Sequence, residues 1–168
     1  NLFADESTPI DFTISPDLIA SSYIKKLIKY QGTKQVFNFS SEADCFINIT
    51  FNEDNNTENT IQYYQQACEK FNSKICAFIR NDKLYSIEAG DTIEDGDELL
   101  FICKEENIED ITKLFGHNKN NRRIMIAGGG NIGKHLSENI RESYQVKVIE
   151  SNEERAEYLS EIIDNVNI

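Results

Sequence analysis

The stretch that most constrains the fold is Ile124-Met-Ile-Ala-Gly128-Gly-Gly130-Asn-Ile-Gly133-Lys-His-Leu136. Residues of strand character run directly into G-x-G-x-x-G, and Ile132, Leu136 and Ile140 then recur at four-residue steps, as on one face of a helix. Strand, tight turn and helix in that order form a dinucleotide-binding arrangement in which each glycine has a steric task. Gly128 permits the turn out of the strand, Gly130 lets a pyrophosphate approach the backbone, and Gly133 lets helix and strand pack closely. N–H groups at the helix start then face the phosphates, aided by the positive end of the helix dipole, an effect of about 0.3–1 kcal/mol. Val146-Lys-Val-Ile-Glu150 reads as a second strand ending in a carboxylate. It lies about 20 residues beyond the glycines, where such an acid takes the adenosine ribose hydroxyls. A carboxylate there repels an added 2′-phosphate of charge about −1.5 to −2, so NAD or an adenine nucleotide fits better than NADP.

Composition narrows the alternatives. A formal net charge of −12 over 168 residues argues against a nucleic-acid surface and against docking on anionic lipid by charge alone. It leaves a nucleotide open, because glycine-loop sites use backbone N–H groups and not basic side chains. No window approaches the roughly 18 apolar residues of a membrane span, and no charged-then-apolar signal segment opens the chain. Cys45, Cys68, Cys76 and Cys103 form no C-x-x-C and sit in apolar-patterned segments, with only His117 and His135 to join them. They read as reduced core thiols and not as metal ligands. The chain begins Asn-Leu-Phe and ends in mid-pattern, so it is expected to be a fragment of a longer polypeptide.

Residues 1–14 contain the short alternating run Ile10-Asp-Phe-Thr-Ile14, a final strand or a lead-in. Ser15-Pro16-Asp17 is a helix start, with a hydroxyl cap, a proline at the first position and an acid in the first turn. That helix is expected to reach about Tyr30 and to stop at Gly32. Ile19, Tyr23 and Leu27, with Ala20, Ile24 and Ile28, give it an apolar stripe suited to a core or to a subunit seam. Residues 33–116 read as one α+β unit: strands over Gln35–Phe39 and Cys45–Phe51, then a surface loop over Asn52–Asn59. A helix over Thr60–Phe71 follows, then a hairpin turning at Asn81-Asp82. Acids around Gly90-Asp-Thr and Asp95-Gly-Asp read as turn chemistry, since they lack the ligand ladder of a calcium loop. A strand over Glu98–Cys103 and a helix over Glu105–Phe115 complete the unit. Gly116–Asn121 reads as a polar linker with His117 solvated. Beyond it come the glycine turn, its helix, the second strand, a helix over Asn152–Ile163 with Tyr158, Leu159, Ile162 and Ile163 on one face, and the opening of a third strand in Asn165–Ile168.

Phe115-Gly-His, Arg122 to Gly133 and Ile149-Glu150 with Glu154-Arg155 downstream resemble the second nucleotide-binding lobe of the TrkA family of bacterial potassium-uptake regulators. The preceding hairpin Phe78-Ile-Arg-Asn-Asp-Lys-Leu84 and the run Gly90 to Phe101 are similar to that family's RCK-C (TrkA-C) domain. The resemblance implies four segments. Residues 1–14 would be the exit from an earlier nucleotide-binding domain, 15–32 a linking or dimerisation helix, 33–116 the α+β RCK-C domain, and 117–168 the first half of a Rossmann-like α/β RCK-N (TrkA-N) domain. It further implies a non-enzymatic cytoplasmic subunit, peripheral at the inner face of the cell membrane. Such a subunit would be a dimer or tetramer, bind NAD(H), ATP or ADP, and gate an integral-membrane potassium translocator of the TrkH/TrkG type. The implied contacts are Gly128, Gly129, Gly130, Asn131 and Ile132 to the pyrophosphate and Glu150 to the ribose, with Gly133 packing the helix.

Two other readings compete. An NAD-dependent oxidoreductase needs an acid or base beside the nicotinamide, and no Tyr-x-x-x-Lys or similar pair is expected to supply one. Its substrate domain would also follow the glycine motif, whereas the α+β unit precedes it. An oligomerisation module whose glycine turn binds nothing is the third reading.

Overall fold

The computed structural model describes residues 13–39, 44–53, 58–88, 90–117 and 121–168. Most of the expected lead-in over 1–14, much of the 52–59 loop and part of the linker lie outside these residues. The chain divides into two compact units, residues 1–22 with 122–168, and residues 23–121.

The 23–121 unit is built on a five-stranded antiparallel sheet. Its strands are β1 (Thr33–Asn38), β2 (Asp44–Thr50), β3 (Lys74–Arg80), β4 (Lys83–Ser86) and β5 (Glu98–Lys104), in the spatial order β1-β2-β5-β3-β4. Alternation on β2 decides its inner face: Cys45, Ile47 and Ile49 are fully buried and oppose Cys103, Phe101 and Leu99 of β5 in register. The hairpin between β3 and β4 turns on Asn81 (φ 50°) and Asp82 (φ 60°), the paired positive values of a tight turn whose twist matches the flanking strands.

Helices α2 (Ile61–Glu69) and α3 (Ile108–Leu114) contribute buried residues to the same core. α2 contributes Ile61, Tyr64 and Cys68, and α3 contributes Ile108 and Ile111. Phe115, just past α3, stacks on Tyr64 at 4.5 Å between ring centroids and meets Phe101 edge-on at 5.4 Å. Cys45, Cys68 and Cys103 are buried free thiols, and burial pushes Cys68 and Cys103 up to about 12. The segment expected to be helical from Glu105 opens instead as a single 3-10 turn over Glu105–Asn107. Asn107 makes no side-chain cap and donates to the Phe71 carbonyl.

The acids of the 88–97 loop close its turns: Asp91 accepts from the Glu88 N–H and Asp97 from the Glu94 N–H. Asp97, almost fully buried, also takes two N–H groups of Arg80. His117, expected in solvent, is half-buried against Gly32: a Cβ built at Gly32 would lie 2.2 Å from the imidazole Cγ.

Helix α1 (Pro16–Lys29) starts at the proline and ends before Gly32, whose φ of 93° ends the helical geometry. Its stripe is not covered throughout. Ile19 is 58% exposed, and Tyr23, Ile24, Leu27 and Ile28 are half-buried.

The unit carrying the glycines is α/β. Strands β6 (Arg123–Ala127), β7 (Gln145–Ile149) and β8 (Val166–Asn167) are parallel and lie in that order, with α4 (Asn131–Ile140) and α5 (Glu153–Ile162) as the connections. The expected third-strand opening is thus a paired strand, Val146 opposite Val166. One sheet face is covered: Val146 and Val148 are buried, as are Leu136 and Ile140 of α4 and Leu159 of α5. Periodicity placed Tyr158 and Ile162 with Leu159, yet they are 49% and 39% exposed. The hydrophobic face of α5 is narrower than its sequence pattern.

Phe115→Ala removes the ring on which two others rest and is expected to cost about 3–5 kcal/mol. Urea unfolding checks this; a loss below about 1 kcal/mol would show that the aromatic cluster is not the centre of this core.

Candidate nucleotide-binding site

Strand β6 delivers the chain to Gly128, whose N–H continues the ladder onto the Ile149 carbonyl at 2.8 Å. Its φ of 107° then turns the chain out of the sheet, a value L side chains rarely adopt. Gly130 is the N-cap of α4 and no side chain caps that end. The first N–H groups of a helix have no intrahelical partner, so the start of α4 presents uncapped donors with the dipole behind them. A Cβ built at Gly130 meets nothing within 4 Å. The approach to this backbone is open.

Gly133 packs more closely than a helix-on-strand contact requires. A Cβ there would lie 2.1 Å from the Gly128 carbonyl oxygen and 3.4 Å from Ile126 Cγ2. Gly129, which the sequence pattern left without a steric task, has one. It is buried, and a Cβ on it would lie 2.4 Å from Leu159 Cδ1 and 3.0 Å from Glu150 Oε2. The visible signal was a third glycine where the motif asks for none.

Glu150 stands at the end of β7 with its carboxylate against the loop. Oε2 accepts from the Gly129 N–H at 2.8 Å and Oε1 from the Asn152 N–H at 2.9 Å, with the Ser151 hydroxyl 3.4 Å away. The Asn152 and then the Gly129 N–H hold its carboxyl below the usual carboxylate range. Sequence reasoning missed two neighbours. Asn152 caps α5 through the Arg155 N–H at 2.8 Å, and Arg155 Nε donates to the Gly129 carbonyl at 2.7 Å.

The remaining predicted positions are exposed. Asn131 directs its amide to Asp17 at 3.1 Å, and Ile132, expected on the inner face of α4, is 40% exposed beside the loop. The structure therefore brings Gly128–Gly133 and Glu150 together. A Tyr-x-x-x-Lys spacing does occur before the glycine motif, at Tyr30 and Lys34, but it straddles the end of α1 and the start of β1. The Tyr30 hydroxyl donates to Glu105, burial pushes its pKa up, and Lys34 pairs with Glu98. Both groups are engaged in structural contacts.

Residues 69–116 match the family model of the TrkA-C domain, and residues 124–168 that of the TrkA-N domain. The Trk system potassium uptake protein TrkA of Vibrio alginolyticus is 31% identical over 166 residues, covering 98% of this chain and 36% of the relative. That of Halomonas elongata is 32% identical over 166 residues, covering 97% and 36%. The chain carries a TrkA-C domain and the matched part of a TrkA-N domain. It spans about a third of the length of these relatives. Among solved structures, the GsuK channel bound to NAD superimposes with a TM-score of 0.51 at 12% identity, covering 92% of this chain and 27% of that one. At that identity the likeness is one of fold. The TrkA-N match begins at Ile124 in β6 and so contains the glycine loop, Glu150 and Arg155.

Two glycine variants separate tight packing from open approach. Gly133→Ala drives a Cβ into backbone and is expected to destabilise the unit by about 1–3 kcal/mol or more. Gly130→Ala, at φ −63° with empty space around it, is expected to stay within about 0.5 kcal/mol of the parent. Thermal or urea melts check both, and equal losses would contradict the geometry.

Proposed function

We propose that this chain is the nucleotide-sensing part of a potassium-uptake regulator and catalyses no reaction. In this reading the amides of Gly128–Ile132 hold a diphosphate, Gly133 fixes the start of α4 against the loop, and Glu150 accepts a ribose hydroxyl. The observation that carries the reading is the Gly129–Glu150 hydrogen bond of 2.8 Å beside an uncapped helix start. It supports the reading by holding a carboxylate acceptor beside open backbone N–H donors. NAD(H) is the favoured ligand, and ATP or ADP offers the same adenosine and diphosphate chemistry. NAD is also the ligand of the similarly folded GsuK channel.

The relatives named as Trk potassium uptake proteins favour a membrane potassium translocator as the partner. On this account the subunit works at the cytoplasmic face as a homo-oligomer. The nucleotide shifts the balance between subunit arrangements, and the translocator reads that shift. The effect is bounded by the ligand's differential affinity for the two arrangements, typically about 1–3 kcal/mol.

Calorimetric titration of the full-length protein with NADH tests the proposal. Binding without turnover is expected, and Glu150→Ala is expected to weaken it by about 1.5–3 kcal/mol, the range for a hydrogen bond to a charged group. Gly130→Ala is expected to lower affinity at unchanged stability. Absence of heat in the parent, or parental affinity in both variants, would put the ligand elsewhere.

A further inference from the structure

The glycine loop and the β7–α5 turn are joined by a closed ring of hydrogen bonds. The Gly129 N–H donates to Glu150, whose other carboxylate oxygen accepts from the Asn152 N–H. The Asn152 side chain accepts from the Arg155 N–H, and Arg155 Nε returns to the Gly129 carbonyl at 2.7 Å. Gly129 is thus gripped at its N–H by Glu150 at the end of β7 and at its carbonyl by Arg155 in the first turn of α5.

Arg155 uses one of its side-chain donors in this ring. Its two terminal amino groups have no hydrogen-bond partner among the described residues, and the side chain is half-buried. A guanidinium is planar, always charged, and suited both to stacking on an aromatic face and to forked donation. Anchoring through Nε fixes its plane before any ligand arrives, which removes rotamer freedom that would otherwise be lost on binding. Its position also distinguishes it from the phosphate donors. Those are the amides at the start of α4, whereas Arg155 reaches the loop from α5, on the Glu150 side.

We propose that Arg155 is a further nucleotide-binding residue, whose open guanidinium edge takes the adenosine half of an adenine nucleotide while its Nε holds the loop. This rests on the nucleotide-sensing reading above and adds to it a contact for the base and ribose that the glycines cannot supply. It also alters the account of ribose selectivity. The Glu150 charge is shared among the Gly129 and Asn152 backbone donors, so discrimination against a 2′-phosphate is weaker than a lone carboxylate would impose.

The test compares a nucleoside diphosphate with the bare diphosphate. Affinities of the full-length protein for ADP and for inorganic pyrophosphate are measured by competition calorimetry for the parent, Arg155→Met and Arg155→Lys, with melting temperatures taken alongside. Arg155→Met keeps the apolar stem, and Arg155→Lys keeps the charge and can still reach the Gly129 carbonyl but lacks the planar fork. The expected result is a loss for ADP that exceeds any loss for pyrophosphate by tenfold or more in both variants, the smaller pyrophosphate loss reflecting only the released loop. A parallel loss for both ligands would reduce Arg155 to a clamp on the loop and overturn the proposal, as would unchanged ADP affinity. A parent that binds neither ADP nor NADH would instead remove the nucleotide reading itself, and this inference with it.

Discussion

The contact between Gly133 and the Gly128 carbonyl sets the geometry on which the site depends. With a Cβ only 2.1 Å from that oxygen, any side chain at 133 would push the start of α4 away from the loop. The end of β6 and the first amides of α4 would then no longer share one small volume. Everything a diphosphate could use follows from that proximity: the turn at Gly128, the open space over Gly130, and the uncapped helix start. The carboxylate of Glu150 is brought to the same place because β7 pairs in parallel with β6, Ala127 opposite Ile149, one residue before the acid. Strand register, and not the glycine motif, therefore places the Glu150 carboxylate beside the loop.

The 23–121 unit is organised differently. Its core is a layer of alternating residues from β2 and β5 closed by three rings, Tyr64, Phe101 and Phe115. Its polar chemistry serves turns. Arg80 ties β3 to the acidic loop through Asp97 and Glu94, and Lys34 pairs with Glu98. Arg80, Asp91, Glu94, Asp97, Lys34 and Glu98 are thus engaged with one another and with backbone amides. The open backbone donors lie in the smaller α/β unit, at the uncapped start of α4.

Much of this was legible in the sequence because it depends on local stereochemistry. Asn81-Asp82 announced a hairpin since both residues tolerate positive φ. Ser15-Pro16-Asp17 announced a helix start. Strand, glycines and a downstream acid announced the turn from β6 into α4 and a carboxylate at the end of β7. What the sequence could not display depends on which faces receive a partner layer. Ile132, Tyr158 and Ile162 lie at helical spacing with buried residues, yet each lies at the margin of the covered face and stays exposed. His117 sits in a polar run and still packs on Gly32, since the chain folds back there for reasons distant in sequence. The task of Gly129 and the return of Arg155 to its carbonyl required the relative placement of α5 and the loop.

In the proposed site, main-chain amides at the start of α4 hold a diphosphate while Glu150 holds the ribose. The most direct measurement is a structure of the full-length protein determined with NADH. Diphosphate oxygens should lie about 2.7–3.2 Å from amides of the Gly129–Ile132 stretch, the usual range for N–H···O bonds, with a ribose hydroxyl on the Glu150 carboxylate. Nucleotide density at another site, over a glycine loop filled by the protein's own side chains, would contradict it.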